Sequence, residues 1–299
     1  MKTLILGNGL IAKAIARRLI SVKQDVTIVS RNTDDQLAGV SYQKYSLEEV
    51  VAHTELFNEA DSIIHTISTT APANSMTNIF QDAYENVLLN IRLIDLLAKL
   101  KGKKFIFLSS GGAVYGNPVA SPVNEDHATH PISAYGVAKL SVEKYLHLYG
   151  YNFGLNYLIL RPSNIYGYIK SIKKPQGVIN HLLDCAYNNK PFKLWGSIDN
   201  SKDYLYIDDF AEAVMLTLNH QGPVSGTVYN ISFGKPHSLA KIISIIEKVT
   251  CKKITIEEVG ETKFDVKNIN VDSALFKKDF NWKPQYEIND GIAKIISQY

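Results

Sequence analysis

Tyr135 and Lys139 stand four residues apart in Ser133-Ala134-Tyr135-Gly136-Val137-Ala138-Lys139, a spacing that puts both on one face of a helix. A phenol with a pKa of about 10 is a poor acid or base at neutral pH. A cation held beside it stabilises the phenolate and lowers that pKa, so Lys139 is expected to bring Tyr135 into the working range. Such a pair moves a proton while a bound cofactor moves a hydride, and the same lysine can bind the nicotinamide ribose. Taken alone, Y-x-x-x-K also occurs as two unrelated surface residues. This copy gains its value from its place, on the helix that follows the Ser109-Ser110 strand end.

A second signature opens the chain. Gly7-Asn8-Gly9-Leu10-Ile11-Ala12 follows an apolar strand and begins a helix, giving G-x-G-x-x-A in the right context. The first glycine permits a tight turn, the second lets a pyrophosphate approach the backbone, and Ala12 lets the helix pack on the strand. The phosphates would rest on the helix N-terminus. An acid for the adenosine ribose is usual about 20 residues on, but the second strand here ends Val29-Ser30-Arg31-Asn32. A guanidinium can pair with a 2′-phosphate, so NADP is the preferred cofactor; an arginine stacked on adenine leaves NAD open.

These groups need a scaffold that sets strand ends beside helix starts. Lys2–Leu6, Asp25–Val29, Ser62–Thr66, Lys104–Leu108 and Tyr157–Leu160 read as apolar strands. Helices are expected over Ile11–Ile20, Val87–Leu100 and Ser133–Tyr149; in the first, Ile11, Ile15 and Leu19 share the apolar face and Lys13 and Arg17 lie off it. The fold class is therefore α/β, a Rossmann-type doubly wound parallel sheet covered on both faces, with a smaller mixed C-terminal substrate lobe. After Arg161-Pro162 the pattern changes. A loop spans Tyr166–Gly177, then helices near Val178–Asn188, Asp208–Asn219 and Leu239–Val249 and strands at Val228–Ser232 and Lys253–Glu258. Residues 1–165 are expected to form the dinucleotide-binding domain and 166–299 mainly the substrate lobe, with segments near 203–232 returning to the first domain. The site would lie at the carboxyl ends of the parallel strands, facing that lobe.

Bulk properties narrow the class. With 299 residues, 45% hydrophobic and 20% charged, the chain is globular rather than disordered. Its 32 basic and 29 acidic residues leave +3, no strong field for nucleic acid or an anionic membrane. The densest basic cluster, Lys170, Lys173 and Lys174, reads as a solvated loop. Cys185 and Cys251 form no C-x-x-C pair, so no metal site is expected and both read as buried free thiols. No apolar run reaches membrane-spanning length and Leu4-Ile5-Leu6 runs straight into glycines, so a soluble cytoplasmic protein is expected.

Further segments occur in order: Phe107-Leu108-Ser109-Ser110-Gly111-Gly112-Ala113-Val114-Tyr115-Gly116, Arg161-Pro162-Ser163-Asn164-Ile165-Tyr166-Gly167, Trp195-Gly196, Asp203–Asp209 and Asn281-Trp282-Lys283-Pro284. With the glycine turn and Tyr135-x-x-x-Lys139, the chain resembles, over nearly its whole length, an extended short-chain dehydrogenase/reductase of the NAD-dependent epimerase/dehydratase family, whose members typically act on nucleotide-diphosphate sugars. The resemblance implies Tyr135 as the acid/base, Lys139 as its pKa modulator and Asn86 as the active-site asparagine, although Asn86 also suits a helix start. Relatives usually carry Ser or Thr three residues before the Val of V-Y-G. Here that position is Gly111, so Ser110 is the nearest hydroxyl and Ser109 the runner-up. The cofactor set is Gly7, Asn8, Gly9, Leu10, Ile11, Ser30, Arg31, Thr66 and Lys139.

On the substrate side the resemblance implies Asn164 at the diphosphate and Gln176 and Gly177 in a segment that closes over the nucleotide. Lys202 stands where relatives commonly have arginine, and Lys263 lies near a second missing arginine; diphosphate binding is expected to rest on both. His65 is expected to be a structural hydrogen-bonder rather than a base. The resemblance also implies a homodimer formed through the helices at Val87–Leu100 and Ser133–Tyr149. The favoured reaction is NADPH-dependent reduction of a nucleotide-linked 4-keto-6-deoxyhexose, and the rival is an NAD-dependent nucleotide-sugar 4-epimerase of the UDP-glucose or UDP-N-acetylglucosamine type. A dehydratase is disfavoured because Gly112-Ala113 replace the Asp-Glu that such relatives place before V-Y-G. A non-enzymatic dinucleotide-binding protein would not need an intact Tyr135 and Lys139.

Overall fold

A computed structural model describes residues 1–167, 177–220 and 224–298. Gln176 and the cluster Lys170, Lys173 and Lys174 lie outside the described residues. The chain runs β1 Lys2–Leu6, α1 Leu10–Ser21, β2 Asp25–Val29, β3 Ser41–Gln43, α2 Leu47–Val50, α3 Thr54–Glu59, β4 Ser62–His65, α4 Pro72–Ser75 and α5 Ile79–Ala83. A π-helical turn at Tyr84–Leu88 leads into α6 Leu89–Lys99, followed by β5 Lys104–Leu108, α7 Ala134–Phe153, β6 Tyr157–Pro162 and β7 Asn164–Tyr166. Then come α8 Gly177–Asn188, β8 Phe192–Trp195, β9 Ser201–Tyr206, α9 Ile207–Asn219, β10 Val228–Ile231, β11 Pro236–Ser238, α10 Leu239–Thr250, β12 Ile256–Gly260, β13 Asn268–Ile269, α11 Ala274–Phe280 and α12 Ile288–Ile296.

The strand order β10-β6-β5-β4-β1-β2-β3 makes a seven-stranded sheet with every pair parallel. Apart from the edge strand β3, its strands are largely apolar on both faces because successive side chains point to opposite sides and helices cover each. Ile5, Ile28, Ile64, Ile106 and Leu158 belong to one core with α1 and α9. Their neighbours Leu4, Leu6, Ile63, Phe105, Phe107 and Ile159 belong to a second core with Leu93 and Leu97 of α6 and Val142 and Leu146 of α7. A smaller mixed sheet centres on β9, which pairs with β11 antiparallel and with β13 and β7 parallel; β12 and β8 form a separate parallel pair. β10 thus joins the large sheet beside β6 although it lies late in the chain.

Several expectations shift. The strand expected at Lys253–Glu258 begins only at Ile256, because the Ile254 amide and the Lys253 ammonium are held by the Glu247 carboxylate of α10. The helix expected over Val87–Leu100 opens as the π turn and is regular from Leu89 to Lys99. The helix expected to end at Tyr149 continues to Phe153, where Gly154 takes the left-handed conformation at φ 68° and stops it. Lys13 is fully buried in α1 rather than lying off the packed face. Cys185 is buried as expected, but Cys251 is exposed.

Candidate active site

β1 feeds the glycine turn. The Gly7 amide donates to Val29 O at 2.8 Å, and Gly7 holds φ +116°. A Cβ there would collide with Thr66 Oγ1, whose hydroxyl is pinned by a 2.8 Å bond to Leu6 O. Thr66 therefore closes one side of the cradle. Gly9 precedes α1 with no side-chain cap, and a Cβ on it would meet nothing within 4 Å. The space beside Gly9 is thus open at the start of α1, which fits an incoming phosphate. Asn8 Nδ2 donates to Asn32 O at 3.0 Å, and its buried Oδ1 has no partner, a free acceptor at the same rim. This donor set and open cradle fit a dinucleotide. Ser30 Oγ accepts from the Asn32 amide at 3.4 Å, while Arg31 is exposed. Glu85 sits below its ordinary carboxylate value chiefly through hydrogen bonds from Gln81 and Thr69, with Arg31 a smaller positive influence.

At the carboxyl end of β5, the Ser110 side chain neighbours Tyr135 and acts to lower its pKa. Ser109 turns the other way: its hydroxyl donates to the buried Glu143 at 2.5 Å. The structure therefore favours Ser110 over Ser109 as the hydroxyl beside the phenol. Gly111 cannot carry the usual serine on this backbone, because its amide donates to Pro162 O at 2.8 Å and a Cβ would lie 2.9 Å from Arg161 O. Lys139 is buried and donates to Leu108 O at 2.9 Å, with its ammonium 5.8 Å from the Tyr135 ring centroid. Burial lowers its pKa to about 8, against the pull of Glu143 and Asp82. The expected lowering of the Tyr135 pKa by Lys139 is a point of difference. Burial pushes the phenol up, Ser110 works against that, and the Asp82 charge adds to the rise. In the free pocket Tyr135 is a protonated donor.

Asn86 lies inside the π turn rather than at a helix start. Its Oδ1 accepts from the Thr69 amide at 3.1 Å; its Nδ2 donates to Thr69 Oγ1 at 2.9 Å and to Asp82 Oδ1 at 3.1 Å. Asn86, Tyr135 and Lys139 line one small cavity with Ser68, Asn90 and Phe107. His65 departs from expectation. Both ring nitrogens are buried without a hydrogen-bond partner, and its ring packs 5.5 Å from that of Phe107. Burial, and then the Lys139 charge, lowers its pKa to about 3, so it is neutral.

The substrate residues are less convergent. Asn164 starts β7, donates to Asp203 O at 2.9 Å and lies beside Gly112. Gly177 begins α8 at φ +79°. Lys202 is not a free cation: its ammonium pairs with Asp265 at 2.6 Å. Lys263 is exposed. A groove of about 670 Å³ lies elsewhere, between α1, α9 and the Asn281–Tyr286 segment, and includes none of these residues.

The sequence profile described as the NAD dependent epimerase/dehydratase family matches residues 3–232. The chain belongs to this family. A dTDP-4-dehydro-6-deoxyglucose reductase of Escherichia coli is 31% identical, over 97% of this chain and 93% of its own length. A Methanocaldococcus jannaschii protein, provisionally named a UDP-glucose 4-epimerase, is 30% identical over 97% and 95%. The crystal structure of a Thermotoga maritima UDP-glucose 4-epimerase with UDP-glucose superposes with a TM-score of 0.91 at 25% identity, covering 99% of this chain and 98% of that one.

As an enzyme of the epimerase/dehydratase family, the chain frames its site with residues that sequence reasoning passed over. Glu143, one turn beyond Lys139, takes a two-pronged bond from Arg161 at 3.0 and 2.6 Å. Arg161 also donates to Tyr115, whose hydroxyl donates to Asn230 at 2.7 Å. This buried network ties α7, β6, β10 and the 109–116 loop together. Glu143 follows Tyr135 and Lys139 at helical spacing, a signal that was available; Asp82, four residues before Asn86, offered a weaker one.

Proposed function

We propose that the protein is an NADPH-dependent reductase of a nucleotide-linked 4-keto-6-deoxyhexose. The observation that carries this is the end of β2, where Ser30 and an exposed Arg31 replace the ribose-binding acid. A carboxylate there would repel a 2′-phosphate; a guanidinium attracts one. The full-length similarity to a dTDP-4-dehydro-6-deoxyglucose reductase supports the same reading. Gly7, Asn8, Gly9, Leu10, Ile11 and Thr66 would hold the dinucleotide, which supplies a hydride when bound. Ser110 orients the keto oxygen, Tyr135 gives its phenolic proton to that oxygen, and the Lys139 ammonium stabilises the phenolate left behind. Asn164 and Lys202 would meet the diphosphate, the latter by exchanging Asp265 for a phosphate oxygen.

The second reading is an NAD-dependent nucleotide-sugar 4-epimerase, favoured by the similarity to proteins named UDP-glucose 4-epimerase. It uses the same Tyr135 and Lys139, with Tyr135 first accepting and then returning a proton. Supplying NADPH with a nucleotide 4-keto-6-deoxyhexose and following absorbance separates the two. A reductase consumes one cofactor per sugar; an epimerase converts UDP-glucose to its 4-epimer with no net change in added cofactor. Arg31→Ala is expected to reduce the preference for NADPH over NADH by roughly ten- to a hundred-fold, the worth of one charge-assisted contact. Tightly bound NAD with Arg31→Ala indifferent would establish the second reading instead. Pairing of two copies through α7 and the π turn with α6 is part of the proposal, supported by the exposed Leu88 of the turn and Val137, Leu148 and Tyr151 of α7, and light scattering tests it.

A further inference from the structure

Asp82 is a buried acid that the proposed chemistry does not use. It lies on α5, is 2% exposed, and accepts hydrogen bonds while forming no direct ion pair among the described residues. A carboxylate buried without an ion partner is unfavourable unless its surroundings over-determine it. Thr70 Oγ1 donates to Asp82 Oδ1, and Asn86, which lines the small cavity with Tyr135 and Lys139, donates through Nδ2 to the same oxygen at 3.1 Å. A carboxylate only accepts, so it decides which end of the Asn86 amide faces it. The Asn86 carbonyl oxygen is thereby left to receive the Thr69 amide, 3.1 Å away.

We propose that Asp82 is a positioning residue for the proton-transfer pair, locking Asn86 and the Thr69–Thr70 loop against the pocket and placing a fixed negative charge on Tyr135 and Lys139. The inference rests on the assignment of those two residues and not on the choice between reduction and epimerisation. Asp82 acts on both from a neighbouring element. It favours the charged form of Lys139 and the neutral form of Tyr135, the two forms a proton donor and its partner cation need. The other groups facing Lys139 are Glu143 on its own helix and His65 from β4, with Arg161 of β6 already paired to Glu143. Around Tyr135 stand Ser110 and, in the shared cavity, Ser68, Asn86 and Asn90. Removing the Asp82 charge lowers the pKa of Lys139 and of Tyr135 alike, so the sign of the effect does not depend on which of the two is followed.

The test uses the ligand-free full chain. Lysine ε-carbon NMR follows Lys139, identified by its loss in Lys139→Met, through an alkaline titration with an expected midpoint of about 8. Asp82→Asn and Asp82→Ser remove the charge and keep a hydrogen-bonding atom, so one folded variant of the two suffices. Either is expected to lower the midpoint by about one pH unit, the low end of what a nearby opposite charge does. Asp82→Glu is expected to restore it. An unmoved midpoint in the charge-free variants overturns the proposal, as does an equal drop in Asp82→Glu. Turnover of Tyr135→Phe keeps the two failures apart. Full turnover there removes the pair itself, whereas lost turnover with an unmoved Lys139 midpoint removes only the role of Asp82.

Discussion

Tyr135 and Ser110 are neighbours at the strand end, and that proximity sets the first test. Tyr135→Phe keeps the ring and deletes the transferable proton. Turnover is expected to fall by roughly 10²–10⁴, the span of a general acid/base, with cofactor binding and melting temperature retained. Ser110→Ala should lower turnover more than stability. Ser109→Ala should do the reverse, since its hydroxyl serves the buried Glu143. Steady-state rates read beside thermal melts distinguish them. Lys139 adds a pH dependence. Its cation is lost as pH rises through about 8, so kcat/KM of the free enzyme is expected to decline above that value. For stability the sign is opposite. The folded value lies below the unfolded 10.5, so between about 8 and 10.5 the unfolded chain holds more protons and stability rises with pH. Lys139→Met at neutral pH should therefore abolish turnover without lowering the melting temperature.

The glycine turn works as a unit of strand, turn and helix, and its two glycines separate by experiment. Gly7→Ala places a Cβ at φ +116° against the pinned Thr66 hydroxyl. It should lower the melting temperature by several degrees even without cofactor, given about 1–2 kcal/mol for the backbone alone. Gly9→Ala meets open space in the free chain. It should leave the melt unchanged and weaken NADPH binding at least about tenfold, because the added methyl occupies the phosphate's approach. Calorimetric titration beside melts tests both. The elements that build this unit were legible because β1, β2, β4, β5 and β6 are short apolar runs, which only a sheet covered on both faces buries. β9 was not legible: Ser201-Lys202-Asp203 reads polar, and its strand character comes from pairing with β7, β11 and β13. The π turn was equally hidden. Tyr84-Glu85-Asn86-Val87-Leu88 suits an ordinary helix, and it coincides with the bonds from Asn86 to Thr69 and Asp82.

His65 links one residue to the stability of the whole chain. Buried between β1 and β5 with no hydrogen-bond partner, it has a folded pKa of about 3 against 6.5 when unfolded. Between those values the unfolded state binds more protons, so this residue makes stability fall as pH drops from about 6.5 toward 3. His65→Leu is expected to flatten that part of the stability–pH curve. Denaturant midpoints of both proteins at pH 7.5 and pH 5 measure it; equal losses on acidification would show that His65 contributes nothing.

Local chemistry carried the broad architecture. Apolar strand runs, the Gly7–Ala12 turn and the four-residue spacing of Tyr135 and Lys139 are short-range patterns, and each has one efficient way to be buried or used. The pocket's electrostatics depended on distance through space. Whether Tyr135 is raised or lowered turns on the depth of its burial and on Asp82, more than fifty residues earlier in the chain. Whether Lys202 is a free cation turns on Asp265, which β9 and the segment before β13 bring alongside. A charge alters its neighbours according to separation and shared burial, and neither quantity is written in the order of the residues.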